Sequence, residues 1–168
     1  MLQLRNKLEQ DHPGLKFVEG QHFSWSPKDK TITYRSDRVD QKACWALLHE
    51  LAHAELEHNS YETDLELLLL EVAAWDEAKA LADSYGETID DEHIQDCIDT
   101  YRDWLYQRSN YPVCSTTSLQ ESAVSYKCFN CGSSWTVTAS RFCRPYRLMA
   151  KQQKTPHEAS KNLETTFL

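Results

Sequence analysis

No apolar run in this chain approaches the ~20 residues that a membrane-spanning helix needs. The longest candidate, "LELLLLEVAAW", is interrupted by Glu66 and Glu71. The opening residues, "MLQLRNKLEQDHPG", lack an apolar signal region and a small-residue cleavage site. Together these absences lead us to expect a soluble, cytoplasmic protein without membrane partners. No internal repeat is visible. Basic residues are scarce in the first two thirds: residues 1–110 carry 11 basic and 23 acidic side chains, a balance of -12. Residues 111–168 carry 7 basic and 3 acidic, a balance of +4, and the two sum to the net -8 of the chain. The acidic body argues against wholesale nucleic-acid binding. The basic end is suited to touch phosphate or an acidic partner.

What is present is enough for a core. The chain has 168 residues, 40% of them hydrophobic, which is adequate for one compact domain with a small appendage. Residues 1–10 read as a short helix closed by Pro13-Gly14. "KFVEGQHFSWS" and "KTITYR", rich in aromatic and β-branched residues, flank the turn-like "PKD" and read as a β-hairpin. Ser36, Asp37 and Asp40 are N-cap candidates for a helix over 41–58, in which Cys44, Leu47, Leu48 and Leu51 form an apolar stripe. A second helix is expected over 63–85, with Leu65, Leu68, Leu69, Val72, Trp75 and Leu81 on its apolar side and Gly86 as its stop. A third is expected over 90–107. "SNYPVCSTTSLQES" reads as loop. "AVSYKCFNCGSSWTVTAS" reads as two short strands around a C-x-x-C turn, and residues 150–168 as a disordered tail.

The stretch that carries chemistry is "WALLHELAHAELEH", residues 45–58. His49 and His53 are four apart, so on a helix they stand one above the other and can share one tetrahedral ion. Glu50 follows about 100° round the helix, where it can face a metal-bound water. This is H-E-x-x-H, two zinc ligands and a general base. At this chain's own His and Glu frequencies such a match arises by chance about once in 40 sequences of this length. A lone histidine of this kind usually serves packing; two at this spacing around a glutamate, on an apolar helix, do not follow that pattern. A catalytic zinc takes three protein ligands and an open position. Leu56 and Asn59 stand where the extended H-E-x-x-H-x-x-G-x-x-H pattern needs glycine and histidine, which excludes that class. Among Glu66, Glu71, Asp76 and Glu77, the third ligand is best sought at Glu71. It interrupts "LLLLEVAAW" and so borders the buried face, where a carboxylate needs a partner. His58 and Tyr61, just past the helix, are weak candidates for stabilising an oxyanion and otherwise belong to a solvated turn.

"LLHELAH", followed by Glu71-Val-Ala-Ala74 and Ala78, resembles the ImmA/IrrE family of metallo-endopeptidases over residues ~15–85. The resemblance implies a zincin-like α+β domain over 1–108, a strand before the active helix that "KTITYR" would supply, a His-His-Glu zinc site and proteolysis of a regulatory protein. Many members also carry a helix-turn-helix, and none is visible here.

Six cysteines are present, and four fall in the last third: Cys114, Cys128, Cys131 and Cys143. In a cytosolic chain this clustering suggests metal before disulfides. Cys128-Phe-Asn-Cys131-Gly132 has the form of one knuckle of a zinc ribbon, so residues 109–149 are expected to form a ribbon-like β module with a second, structural zinc. The partner knuckle, "YPVC", has Tyr111 where its first cysteine belongs. Either Cys143 completes a four-cysteine site, or the site is three-coordinate or degenerate. The alternative is a small hairpin with unligated thiols. Cys44 and Cys97 read as core residues. A metalloprotease domain followed by such a ribbon also resembles SprT-like proteases, which act on DNA-bound proteins. Those use a third histidine, and none is well placed here. Arg141, Arg144, Arg147 and Lys151 are candidate phosphate contacts, or a solvated basic edge. A non-catalytic zinc-binding interaction module is the competing class, and a hydrolase of a non-protein substrate a third.

Overall fold

In a computed structural model the described residues are 1–111, 114–138 and the backbone of 147–149. The chain divides into two units, 1–105 and 106–168. Each is described by itself. The class is α+β, with four helices and two small sheets among the described residues.

The first unit begins with α1 (Leu2–Asp11), which buries Leu4 and Leu8. Three short strands follow: β1 (Lys16–Glu19), β2 (Ser24–Ser26) and β3 (Thr31–Tyr34). The expected hairpin is only half of this sheet. β2 and β3 pair antiparallel around the turn, but the "KFVEGQHFSWS" segment breaks at Gly20 and supplies a further strand, β1, which pairs parallel on the other side of β3. A Cβ at Gly20 would collide with the methyl of Thr33. The register aligns Phe17, Ile32 and Trp25 in one row across the sheet. Ile32 is completely buried and the other two pack against the same core.

β3 leads into α2 (Gln41–Glu55). Asp40 caps it, accepting the Ala43 N–H at 3.0 Å. An N-cap carboxylate satisfies an otherwise orphaned donor and meets the positive end of the helix. The Arg38 guanidinium and this N–H hold the Asp40 carboxyl down at about 2. α2 buries Cys44, Leu47, Leu48, Leu51 and Ala52. It ends at Glu55, three residues sooner than the expected boundary.

α3 (Asp64–Tyr85) is capped by Thr63, whose Oγ1 accepts the Glu66 N–H. The Glu66 carboxylate in turn accepts the Glu62 N–H. Its C-terminal stop is Gly86 at φ 70°. Of the expected apolar side, Trp75 is buried and Leu68, Val72 and Leu81 pack against the core. Leu65 and Leu69 are exposed, and the helix turns Glu71, Ala74, Trp75, Ala78 and Ala82 inward. Leucines ring the first turns of this helix, so hydrophobicity alone does not mark a face there. The alanines at 74, 78 and 82 recur at four-residue spacing and are buried. α4 (Asp91–Ser109) buries Ile94, Ile98 and Trp104 and carries the chain into the second unit.

In the second unit β4 (Leu119–Ser122), β5 (Ser125–Lys127), β6 (Ser134–Val137) and β7 (Arg147–Met149) form an antiparallel sheet in that order. β4 falls in the segment expected to be loop. Apart from the exposed Leu119 its residues are polar, so it carries no apolar alternation to read. The core is Tyr111, Tyr126, Cys128, Trp135 and Val137, with Trp135 lying against both tyrosine rings. Residues 150–168, expected to be disordered, lie outside the described residues.

No helix among the described residues is long and apolar enough to cross a membrane.

Candidate functional site

α2 and α3 pack so that three side chains meet in the core of the first unit. His49 Nε2 lies 3.1 Å from His53 Nε2 and 3.2 Å from Glu71 Oε2, and His53 Nε2 lies 3.7 Å from Glu71 Oε1. His49 and Glu71 are buried and His53 half-buried. Four-residue spacing brings the two imidazoles together, and the packing of α3 against α2 brings the carboxylate.

Burial pushes the His49 imidazole down, so it is neutral near pH 7, although the Glu71 carboxylate opposes this. Burial also penalises the charge on Glu71. The hydrogen bonds to His49 and His53 outweigh that penalty and hold its carboxyl well below the usual carboxylate range. Two imidazole nitrogens and one carboxylate thus converge on a common point. Such a group is repulsive unless a proton or a metal ion sits among its members. The spacing fits a metal: a tetrahedron with zinc–nitrogen or zinc–oxygen bonds of about 2.0–2.2 Å has edges of roughly 3.3–3.6 Å. The donor set, two imidazoles with one carboxylate, is also that of catalytic zinc.

The rings are held in different ways. His49 stacks on Trp75 with centroids 4.2 Å apart and planes 25° from parallel. Its Nδ1 has no hydrogen-bond partner among the described residues. Stacking, and not the usual hydrogen bond to the second nitrogen, orients this ring. His53 instead places its Nδ1 2.8 Å from Nδ1 of His58. The helical periodicity carries His58 away from the His49/His53 face. In the structure α2 has already ended, and Glu57 at φ 53° turns the chain back. His58 N–H donates to the His53 carbonyl, and Trp25 Nε1 donates to the His58 carbonyl at 2.9 Å, which ties this return to β2.

Glu50 follows His49 on α2 and is half-buried. The other acidic candidates are not in the cluster. Glu66 serves the cap of α3, Asp76 is exposed and Glu77 is half-buried one turn and a half beyond Glu71. Tyr61 is exposed.

A second group lies in the C-terminal unit. Cys114 Sγ is 3.4 Å from Cys128 Sγ and 3.7 Å from Cys131 Sγ. All three sulfurs fall within 4.8 Å of one another. These distances are far beyond a disulfide bond of about 2.05 Å. They approach the ~3.8 Å edge of a tetrahedron with zinc–sulfur bonds of about 2.3 Å. Cys128 is fully buried, which alone pushes its thiol up. The backbone N–H groups of Cys131 and Asn130 and the thiols of Cys114 and Cys131 more than offset this, bringing it down to about 6. A sulfur that is thiolate at neutral pH is a ready metal ligand. Cys44 is buried and Cys97 half-buried among the helices. Cys143, expected as a possible fourth ligand, lies outside the described residues, as do Arg141, Arg144 and Lys151 and the side chain of Arg147.

The chain matches no family model, no curated protein and no solved structure.

Proposed function

We propose that this protein is a zinc-dependent endopeptidase whose metal is held by His49, His53 and Glu71 and whose general base is Glu50. The observation that carries the reading is the convergence of Nε2 of both histidines with the Glu71 carboxylate, beside a glutamate one position along the same helix. Zinc bound there supplies Lewis acidity and lowers the pKa of a water toward neutrality. Glu50 accepts a proton from the attacking water and returns it to the leaving amine. A structural metal site has no use for such a base beside its ligands. His49 and Glu71 are shielded from solvent, which strengthens their pull on a cation.

The carboxylate as third ligand favours the ImmA/IrrE-like reading of the zincin class over the SprT-like one, which needs a histidine there. The substrate class follows from the same resemblance: a regulatory or DNA-associated protein, met in the cytoplasm. The second unit is read as ribbon-like, and its excess of basic residues suits an acidic partner or nucleic acid.

The test is hydrolysis of an unfolded generic protein such as casein by the full chain. Cleavage should stop on chelation and return with added zinc. Cleavage that persists in the chelated protein contradicts the proposal.

A further inference from the structure

The two ends of the cysteine cluster are built alike. In residues 128–133 the Cys128 N–H donates to the Ser133 carbonyl at 2.8 Å, and the Gly132 N–H donates back to the Cys128 carbonyl at 2.7 Å. In residues 111–116 the Tyr111 N–H donates to the Thr116 carbonyl at 3.2 Å, and the Ser115 N–H donates back to the Tyr111 carbonyl at 2.8 Å. The fifth residue of each loop has positive φ: 74° at Gly132 and 51° at Ser115. Cys131 and Cys114 are the fourth residues. The two loops therefore share one hydrogen-bond pattern and one positive-φ position, and Tyr111 holds the place that Cys128 holds in the other.

Ser115 adds to this. A left-handed conformation at a non-glycine residue carries a cost, which the loop bears to keep a turn that presents its fourth residue, Cys114, to the cluster. Tyr111 itself supplies no thiolate. It is buried, and its ring lies against Trp135 at 5.0 Å between centroids. The apolar core of this unit has taken over the corner where a ligand would stand.

Among the described residues no fourth sulfur joins the three. β6 leaves the Cys128–Ser133 loop at Ser134 and runs away from it. β7 pairs Arg147 with Val137, at the far end of β6, and Met149 with Trp135, near the loop.

We propose that Cys114, Cys128 and Cys131 hold a thiophilic metal ion through three thiolates and leave its fourth corner to an exchangeable external ligand, a thiol by preference. Soft donors match the ion that three thiolates select. A structural ribbon zinc is closed by four protein ligands. This site is open, and its ion exchanges ligands with small thiols or with a cysteine presented by another molecule.

The experiment loads the full chain with Co2+ and reads the near-ultraviolet thiolate-to-metal charge transfer, to which the His49–His53–Glu71 site does not contribute. Cys114→Ser should collapse the band. Adding 2-mercaptoethanol to the parent should raise it by roughly one third, as a fourth thiolate joins three. Cys143→Ser should match the parent both before and after the thiol. Tyr111→Cys should show the higher band from the start and not respond to the thiol. A parent band that ignores 2-mercaptoethanol overturns the proposal, and so does a lower band in Cys143→Ser. If Tyr111→Cys fails to fold without its packing on Trp135, the other arms still decide.

Discussion

His58 Nδ1 stands 2.8 Å from Nδ1 of His53, on the edge of that ring opposite the nitrogen that meets His49 and Glu71. One proton serves the two Nδ1 atoms. Carried by His53, it leaves the His53 Nε2 lone pair to the cluster, and His58 acts as the acceptor that fixes this tautomer. His58→Ala should therefore weaken zinc binding about 10–100-fold while leaving the melting temperature of the metal-free protein within a few degrees. Competition with a chromophoric chelator measures it. Unchanged affinity would show that the contact does not orient the ligand.

The three ligands should act as a unit. His49→Ala, His53→Ala and Glu71→Ala should each lose one metal equivalent on elemental analysis, while Glu77→Ala and Asp76→Ala retain it. Tight zinc binding in Glu71→Ala, with loss in Glu77→Ala, would transfer the third position to Glu77.

Asp40 ties acid stability to α2. Its folded-state carboxyl sits at about 2, below the ordinary carboxylate value of about 3.9. A depressed carboxyl contributes stability that is fully present above its unfolded value and is lost as pH falls through its folded one. Asp40→Asn keeps a capping oxygen but removes the titration. The variant should lose less stability than the parent between pH 4 and pH 2, as judged by thermal melts. Parallel curves for the two proteins would detach the cap from the acid response.

Gly86 ends α3 in the left-handed region at φ 70°, with open space around the position of a Cβ. Gly86→Ala should thus cost about 1 kcal/mol through backbone conformation alone. Chemical denaturation checks this, and an unchanged midpoint would mean that the helix end relaxes.

How much of this is legible in the sequence depends on the range of the contact. The spacing of His49 and His53 is local, and the helix that carries them places both rings on one face. Glu71 is marked by its own anomaly, a charge within leucines and alanines, and the structure sets it among the imidazoles. The mixed α+β class also follows from the alternation of strand-like and helix-like segments. What the sequence hides is non-local or polar. The parallel pairing of β1 with β3 leaves no turn signal. The exposed face of α3 is hidden because Leu65 and Leu69 are as apolar as the residues that are buried. The return of His58 depends on positive φ at a glutamate, where no glycine announces a turn. The likeness of residues 111–116 to 128–133 lies in backbone hydrogen bonds, and only the cysteines at 114 and 131 hint at it.

The central claim is that Glu50 moves a proton beside a metal held by its neighbours. The most direct measurement compares the zinc-loaded parent with zinc-loaded Glu50→Gln, recording metal content and casein cleavage on the same samples. The account predicts one zinc retained at the His49–His53–Glu71 site in both, and hydrolysis lowered at least 100-fold in the variant, within the range for loss of a general base. Equal cleavage by the two proteins at equal zinc would contradict it.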